Sequence, residues 1–201
     1  MIAFEVGRKI MKIAVWCRHK DDNIIGIGPH IPWRISSDFK RFRRLTEGQY
    51  MLAGQTTYET FPNRTLPNRK IIVLTFEADY EVSDPQNHFV VTDVKKLKEF
   101  EHDLYISGGS SIYKLFMTNE SDKLRPDIVV DCMYCGELNP ELSGPKVDIT
   151  PCIEAMKKNY RQISKDYELD NIITTVWVKK GAFIEQSTLK HIIEAIEADY
   201  Q

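Results

Sequence analysis

Short apolar runs recur along the chain, and most are followed by a stretch of helical period. Lys12–Arg18, Tyr50–Ala53, Lys70–Thr75, His88–Val91, Asp103–Ser107 and Asp127–Tyr134 read as strands, and Lys70–Thr75 has the unbroken apolar character of a strand buried on both faces. Between them, helices are predicted over Gln55–Phe61, from Val94 to about Phe100 with Asp93 as cap, from Ser110 to about Asn119, and over Pro151–Lys158. Gly136–Thr150 reads as a long loop. Tyr160–Tyr167 and Ile172–Lys179 read as two strands joined by the turn Glu168–Asn171, and so short a connection makes them antiparallel. Thr188–Tyr200 reads as a terminal helix with Leu189, Ile192, Ile193 and Ile196 on one stripe. Strands alternating with helices predict an α/β domain with a mostly parallel sheet and right-handed crossovers, closed by an antiparallel strand pair. The organisation expected is an extension over residues 1–11, one domain over 12–180, and a helical extension over 181–201.

One stretch breaks the apolar–polar pattern. Residues 24–46 read as a Gly- and Pro-rich loop running into a helix, with Ser36 or Ser37 as N-cap. Asp38, Phe42 and Leu45 stand at i, i+4 and i+7 and share one face, while Lys40, Arg43 and Arg44 lie on a side that reads as solvated. A carboxylate on an apolar stripe is desolvated, and its pKa rises unless a cation meets it. The alternative is that Asp38 only complements the helix dipole.

Composition narrows the partners. The 201 residues are 42% hydrophobic, enough for a sizeable core, and carry a formal net charge of −2. That balance supports neither general nucleic-acid binding nor a polybasic membrane anchor, and the basic run Lys40–Arg44 is spread around the solvent side by helical spacing. No apolar stretch approaches the roughly 18 residues of a membrane span. The N-terminus lacks a signal-type apolar core, so a cytoplasmic location is expected. Cys132 and Cys135 have C-x-x-C spacing, but strand positions three apart face opposite ways. No metal site is expected, and Cys17, Cys132, Cys135 and Cys152 read as reduced thiols.

Two turns repeat one arrangement of strand, glycine and helix start: Met51–Thr57 around Gly54, and Tyr105–Ser111 around Gly108 and Gly109. Helix N-termini offer unpaired N–H groups and a positive dipole end, and glycine admits close backbone approach, so each turn suits phosphate. Two of them on one sheet edge could hold the halves of a dinucleotide, although glycine also serves such turns simply for tight geometry. The pattern is not the Gly-x-Gly-x-x-Gly fingerprint.

Together the motifs resemble the dihydrofolate reductase family. They are Ile25-Gly26 with Pro32-Trp33, Asp38, Phe42 and Thr46; Gly54–Glu59; Phe61–Arg69; and Gly108–Tyr113, in the family's order and spacing across residues 12–180. The resemblance implies that family's mostly parallel, mixed eight-stranded sheet flanked by helices, and reduction of dihydrofolate by NADPH, with NADH as the alternative. It implies that Asp38 hydrogen-bonds the pterin and promotes its protonation, and that Ile31 and Trp33 lie on a mobile loop closing over the site. Trp16, Cys17, Phe39, Phe42, Phe61 and Leu66 would line the folate pocket, and Arg69 would clamp the carboxylate of the glutamate tail. Gly26, Gly54, Gln55, Thr56, Thr57, Thr75, Ser107, Gly108, Gly109, Ser110, Ser111, Ile112 and Tyr113 would hold the cofactor. Antifolates would bind, and the chain would be a monomer or a weak homodimer through its terminal helix. The rival readings are a same-fold reductase of another pterin or pyrimidine, and a binding protein without turnover.

The chain departs from the family's pattern at several points. Gln55 replaces an Arg that often stands beside the adenosine 2′-phosphate, and Phe76 replaces a small or polar residue there, so a narrower preference for NADPH is expected. Ser107 replaces a more apolar residue, and Glu141–Lys146 lacks the Gly-Asp-Thr sequence whose Asp ties down the mobile loop. Asp131, expected among the substrate-binding residues of the pocket, stands where a Thr usually hydrogen-bonds the catalytic carboxylate. It is expected either to share a proton with Asp38 or to be satisfied elsewhere, by Arg18 or Lys12 or by solvent.

Overall fold

The computed structural model describes residues 9–119 and 123–200. Most of the extension expected over residues 1–11 lies outside them. One mixed sheet forms the body. Its six parallel strands are β1 (Lys12–His19), β3 (Tyr50–Gly54), β4 (Lys70–Leu74), β5 (His88–Val91), β6 (Leu104–Ile106) and β7 (Ile128–Tyr134), in spatial order β5-β4-β3-β6-β1-β7. β11 (Ile172–Lys179) runs antiparallel on β7. The free edge of β11 is shared by β9 (Tyr160–Gln162) and β10 (Tyr167–Leu169), so the sheet is eight positions across.

The strand expected over Tyr160–Tyr167 is therefore two. Between them the Ser164 hydroxyl accepts the Val176 N–H at 2.9 Å, taking a bond that a continuous ladder would have made. The β10–β11 turn narrows to Asp170 and Asn171, with φ of 52° and 61°, the left-handed pair that a two-residue hairpin needs.

Strand alternation sorts the core into two layers. Ile13, Val15, Val130, Cys132 and Val176 face the side covered by α1 (Ser36–Thr46) and α5 (Gln186–Glu197). Ala14, Trp16, Val129 and Ile106 face the side covered by α3 (Ser110–Met117) and α4 (Thr150–Asn159). The short α2 (Gln55–Glu59) covers Ile71 and Val73 through Tyr58. The segment capped by Asp93 is a 3-10 helix, Val94–Glu99. α5 belongs to the core: Ile192 and Ile196 are fully buried with Ile13 and Leu45. Leu189 and Ile193 of the same stripe are partly buried against that core.

Two stretches read as loop are partly strand. β2 (Ile24–Ile27) pairs antiparallel with β8 (Lys146–Asp148), at Gly26↔Val147, as a separate ribbon. Alternation was invisible there because each strand is three or four residues long and glycine interrupts one of them. The helix cap also differs. Ser36 and Ser37 lie within α1, the N-cap is the extended Ile35, and the buried Ser37 Oγ has no hydrogen-bond partner among the described residues. No helix among the described residues is long and apolar enough to cross a membrane.

Candidate active site

α1 carries Asp38 in its first turn, over the C-terminal half of β1. Its carboxyl is pushed up to about 6, chiefly because burial penalises the charged form. The Arg41 guanidinium and a hydrogen bond from the Cys17 thiol pull it down, and the Asp199 carboxylate pushes it up. Asp38 is thus a desolvated acid on an apolar stripe, and more than a partner for the helix dipole. Phe42 is half-buried and Leu45 is 1% exposed on the same stripe.

Arg41 corrects the reading of the basic run. It is 1% exposed and donates from Nε to Asp199 Oδ2 at 2.8 Å and from Nη1 to Thr174 Oγ1 at 2.7 Å. Arg44 is turned to the same segment, bonding Asp199 and the Ala195 carbonyl. Arg41 is removed from solvent and Arg44 only in part, because α5 covers that side of α1. The i, i+3 spacing of Asp38 and Arg41 was a signal for their proximity. Nothing local pointed to Asp199.

Around Asp38, Cys17, Trp33, Phe42, Phe61 and Leu66 join one apolar cluster. Trp33 is buried and tilts on Tyr134 with ring centroids 5.0 Å apart, and its Nε1 has no hydrogen-bond partner among the described residues. Ile31 and Phe39 are exposed at the rim, where Arg34, Lys40 and Arg43 edge a depression of about 510 Å³. Arg69 is 7% exposed and is aimed by the Thr46 hydroxyl at 3.2 Å, the Arg43 carbonyl at 3.1 Å and the Pro67 carbonyl at 2.5 Å.

Two expected pocket residues lie on the other face. Trp16 alternates with Cys17, packs edge-on to Tyr113 with centroids 5.3 Å apart, and donates from Nε1 to Asp131 Oδ1 at 2.7 Å. Asp131 also takes two bonds from Arg18, each at 2.9 Å. It sits opposite Trp16 in register, so it does not face Asp38, and Arg18 satisfies it. The β7 residue on the Asp38 side is Cys132, which the Thr174 hydroxyl of β11 approaches at 3.5 Å.

The two glycine turns come together because β3 and β6 are neighbours. Gly54 N–H donates to the Gly108 carbonyl at 2.8 Å, and the Gly108–Gly109 peptide is cis. Gly54 and Gly109 are the N-caps of α2 and α3, and neither uses a side-chain cap. A Cβ on Gly109 would stand 2.9 Å from Thr57 Oγ1, and one on Gly54 2.9 Å from Ile112 Cγ1, so at either position a side chain would force its neighbour to shift. Ser110 is half-buried and Ser111 exposed at the α3 start. Ser107 donates its N–H to the Leu52 carbonyl at 2.9 Å. Tyr113 and Ile112 are buried, and the Tyr113 hydroxyl donates to the Val15 carbonyl at 2.6 Å. That bond commits the hydroxyl to β1, so only the Tyr113 ring remains for a ligand. Gly26 stands apart in the β2–β8 ribbon.

At the far end of this cradle, Gln55 accepts from Thr75 Oγ1 at 2.5 Å and donates to Glu59 at 3.3 Å and Glu77 at 3.2 Å. Thr56 and Thr57 follow it in α2, and Phe76 is fully exposed beside it. The Gly136–Thr150 segment fastens to the stretch before Trp33 without the missing Asp. Gly28 N–H donates to the Pro145 carbonyl at 2.9 Å, Asn139 N–H to the Pro32 carbonyl at 2.9 Å, and Lys146 pairs with Asp22 at 2.9 Å.

A family model described as dihydrofolate reductase matches residues 11–166. The chain belongs to the dihydrofolate reductase family. It is 34% identical over 111 residues to the dihydrofolate reductase of Enterococcus faecium, across 53% of this chain and 65% of that protein's length. It is 27% identical over 160 residues to that of Neisseria gonorrhoeae, across 78% of this chain and 93% of the relative. Among solved structures it resembles the dihydrofolate reductase of Enterococcus faecalis complexed with NADP(H) and RAB-propyl, at TM-score 0.64 and 20% identity, over 85% of this chain and 96% of that one. This dihydrofolate reductase family member adds α5 beyond the matched residues.

Proposed function

We propose that the protein reduces 7,8-dihydrofolate to 5,6,7,8-tetrahydrofolate with NADPH as cofactor. The observation that carries this reading is Asp38, a half-buried carboxyl pushed up to about 6 by desolvation on the stripe that α1 turns to the Cys17, Phe42 and Leu45 cluster. When bound, the nicotinamide supplies the hydride that adds to C6 of dihydrofolate, while N5 takes a proton. Asp38 holds that proton equivalent close to neutral pH and hydrogen-bonds the pterin. Cys17, Phe42, Phe61 and Leu66 exclude water from the ring, and Trp33 closes the cleft with its free indole N–H. Arg69 presents a fork already oriented by Thr46, suited to the glutamate carboxylate.

The paired turns fit a pyrophosphate, since their glycine backbones meet side by side at the starts of α2 and α3, with Gly54 N–H on the Gly108 carbonyl. Gly108, Ser110, Ser111, Thr56 and Thr57 would supply its remaining contacts, with Ser107, Thr75 and Gln55 towards the adenosine. The Enterococcus faecalis neighbour binds NADP(H), which supports NADPH here. NADH is the competing cofactor, because carboxylates flank Gln55 where a 2′-phosphate would lie. The proposed assembly is a monomer in the cytoplasm, open to antifolates through the same cleft.

The test is the fall in absorbance at 340 nm with dihydrofolate and each cofactor. Turnover with neither, alongside retained folate binding, would leave only a binding protein.

A further inference from the structure

Asp199 lies just beyond α5, and its side chain is 6% exposed. Oδ2 accepts from Arg41 Nε at 2.8 Å, and Oδ1 accepts from Arg44 Nη2. Arg41 is the largest fully buried side chain among the described residues and stands one helical turn after Asp38. A buried guanidinium this close to a carboxylate ordinarily closes on it and holds it ionised. Here Nε and Nη1 are held by Asp199 and Thr174, on segments that approach from the C-terminal half of the chain, and the buried Nη2 has no hydrogen-bond partner among the described residues. Among the described residues no ion pair joins Arg41 to Asp38.

We propose that Asp199, acting through Arg41, is a positioning residue for Asp38: it is the counter-charge that keeps the α1 guanidinium off the Asp38 carboxyl and leaves that carboxyl free to hold a proton. The inference rests on the reading of Asp38 as the group that supports pterin protonation. The groups on the Asp38 side are Cys17 from β1, Cys132 from β7, Arg41 from α1 and Asp199 after α5, and Tyr113 of α3 feels the Asp38 charge from the opposite face of the sheet. Burial raises Cys17, Cys132 and Tyr113, so all three stay neutral through the physiological range. Arg41 and Asp199 are then the two charges that set the balance, the first favouring ionised Asp38 and the second opposing it.

The experiment follows the Asp38 carboxyl directly, by ¹³C NMR titration of the full chain labelled at aspartate. Asp199→Asn keeps an acceptor for Arg41 but removes the charge, and the Asp38 midpoint should fall by about one pH unit or more. Arg41→Met combined with Asp199→Asn removes both charges without stranding a buried cation, so it tests the idea even if the single variant does not fold. In it the midpoint should rise above that of the wild type. Midpoints that match the wild type in both variants would overturn the proposal, whatever happens to the melting temperature. The pH profile of hydride transfer is read separately. A profile that moves with the Asp38 midpoint supports the proposal. A midpoint that moves while the profile stays in place retains the Asp199–Arg41 device and refutes the catalytic reading of Asp38.

Discussion

Arg18 holds Asp131 with one edge of its guanidinium, Nε on Oδ1 and Nη2 on Oδ2, each at 2.9 Å. Both residues are buried, at 6% and 3% exposure, and Trp16 adds a third bond. Removing one partner of such a pair strands the other charge. Asp131→Thr should therefore cost about 3–5 kcal/mol in urea unfolding. Its hydride-transfer pH profile should overlay the wild type, because Asp131 and Asp38 lie on opposite faces of the sheet. A shifted profile would restore the shared-proton idea.

Asp38→Asn should slow hydride transfer at pH 7 by roughly 10²-fold or more while weakening folate binding less. Near-normal turnover would remove Asp38 from the chemistry.

The same group makes a stability prediction. The folded carboxyl sits at about 6 against an ordinary 3.8, so the folded state favours the protonated form. Its contribution is complete below the ordinary value and is lost as pH climbs through about 6. Between pH 4 and pH 8 the wild type should lose about 2.4 kcal/mol relative to Asp38→Asn. Urea unfolding of both proteins at the two pH values measures the difference, and parallel pH curves would contradict it.

Arg69→Ala should raise the Kd of dihydrofolate by about 10- to 100-fold, the worth of a charged hydrogen bond. A pteridine lacking the glutamate tail should bind almost as before. Equal losses for both ligands would mean that the Thr46-oriented fork does not read the tail.

Gln55 stands between Glu59 and Glu77, so the wild type should prefer NADPH over NADH by only a small margin in kcat/KM. Gln55→Arg adds the missing cation and should widen that margin about tenfold or more. An unchanged ratio would place the 2′-phosphate elsewhere.

Much of this architecture is legible from local pattern. The runs at Lys12–Arg18, Lys70–Thr75 and Asp127–Tyr134 mark buried strands, and the i, i+4, i+7 spacing of Asp38, Phe42 and Leu45 marks a helix with a carboxyl on its inner face. Both periods follow from backbone geometry, which every short segment carries within itself. The glycine turns are legible too, because the close approach of Ile112 to Gly54 and of Thr57 to Gly109 leaves little room for a side chain. Tertiary structure alone decided the electrostatics. A one-residue alternation turned Asp131 away from Asp38 and towards Arg18, and the parallel register of β1 on β7 chose between those outcomes. The partner of Arg41 lies 158 residues further along, and packing of α5 on α1 delivers it. Period is a property of a segment, whereas the charge that meets a buried arginine is a property of which distant segments share the core.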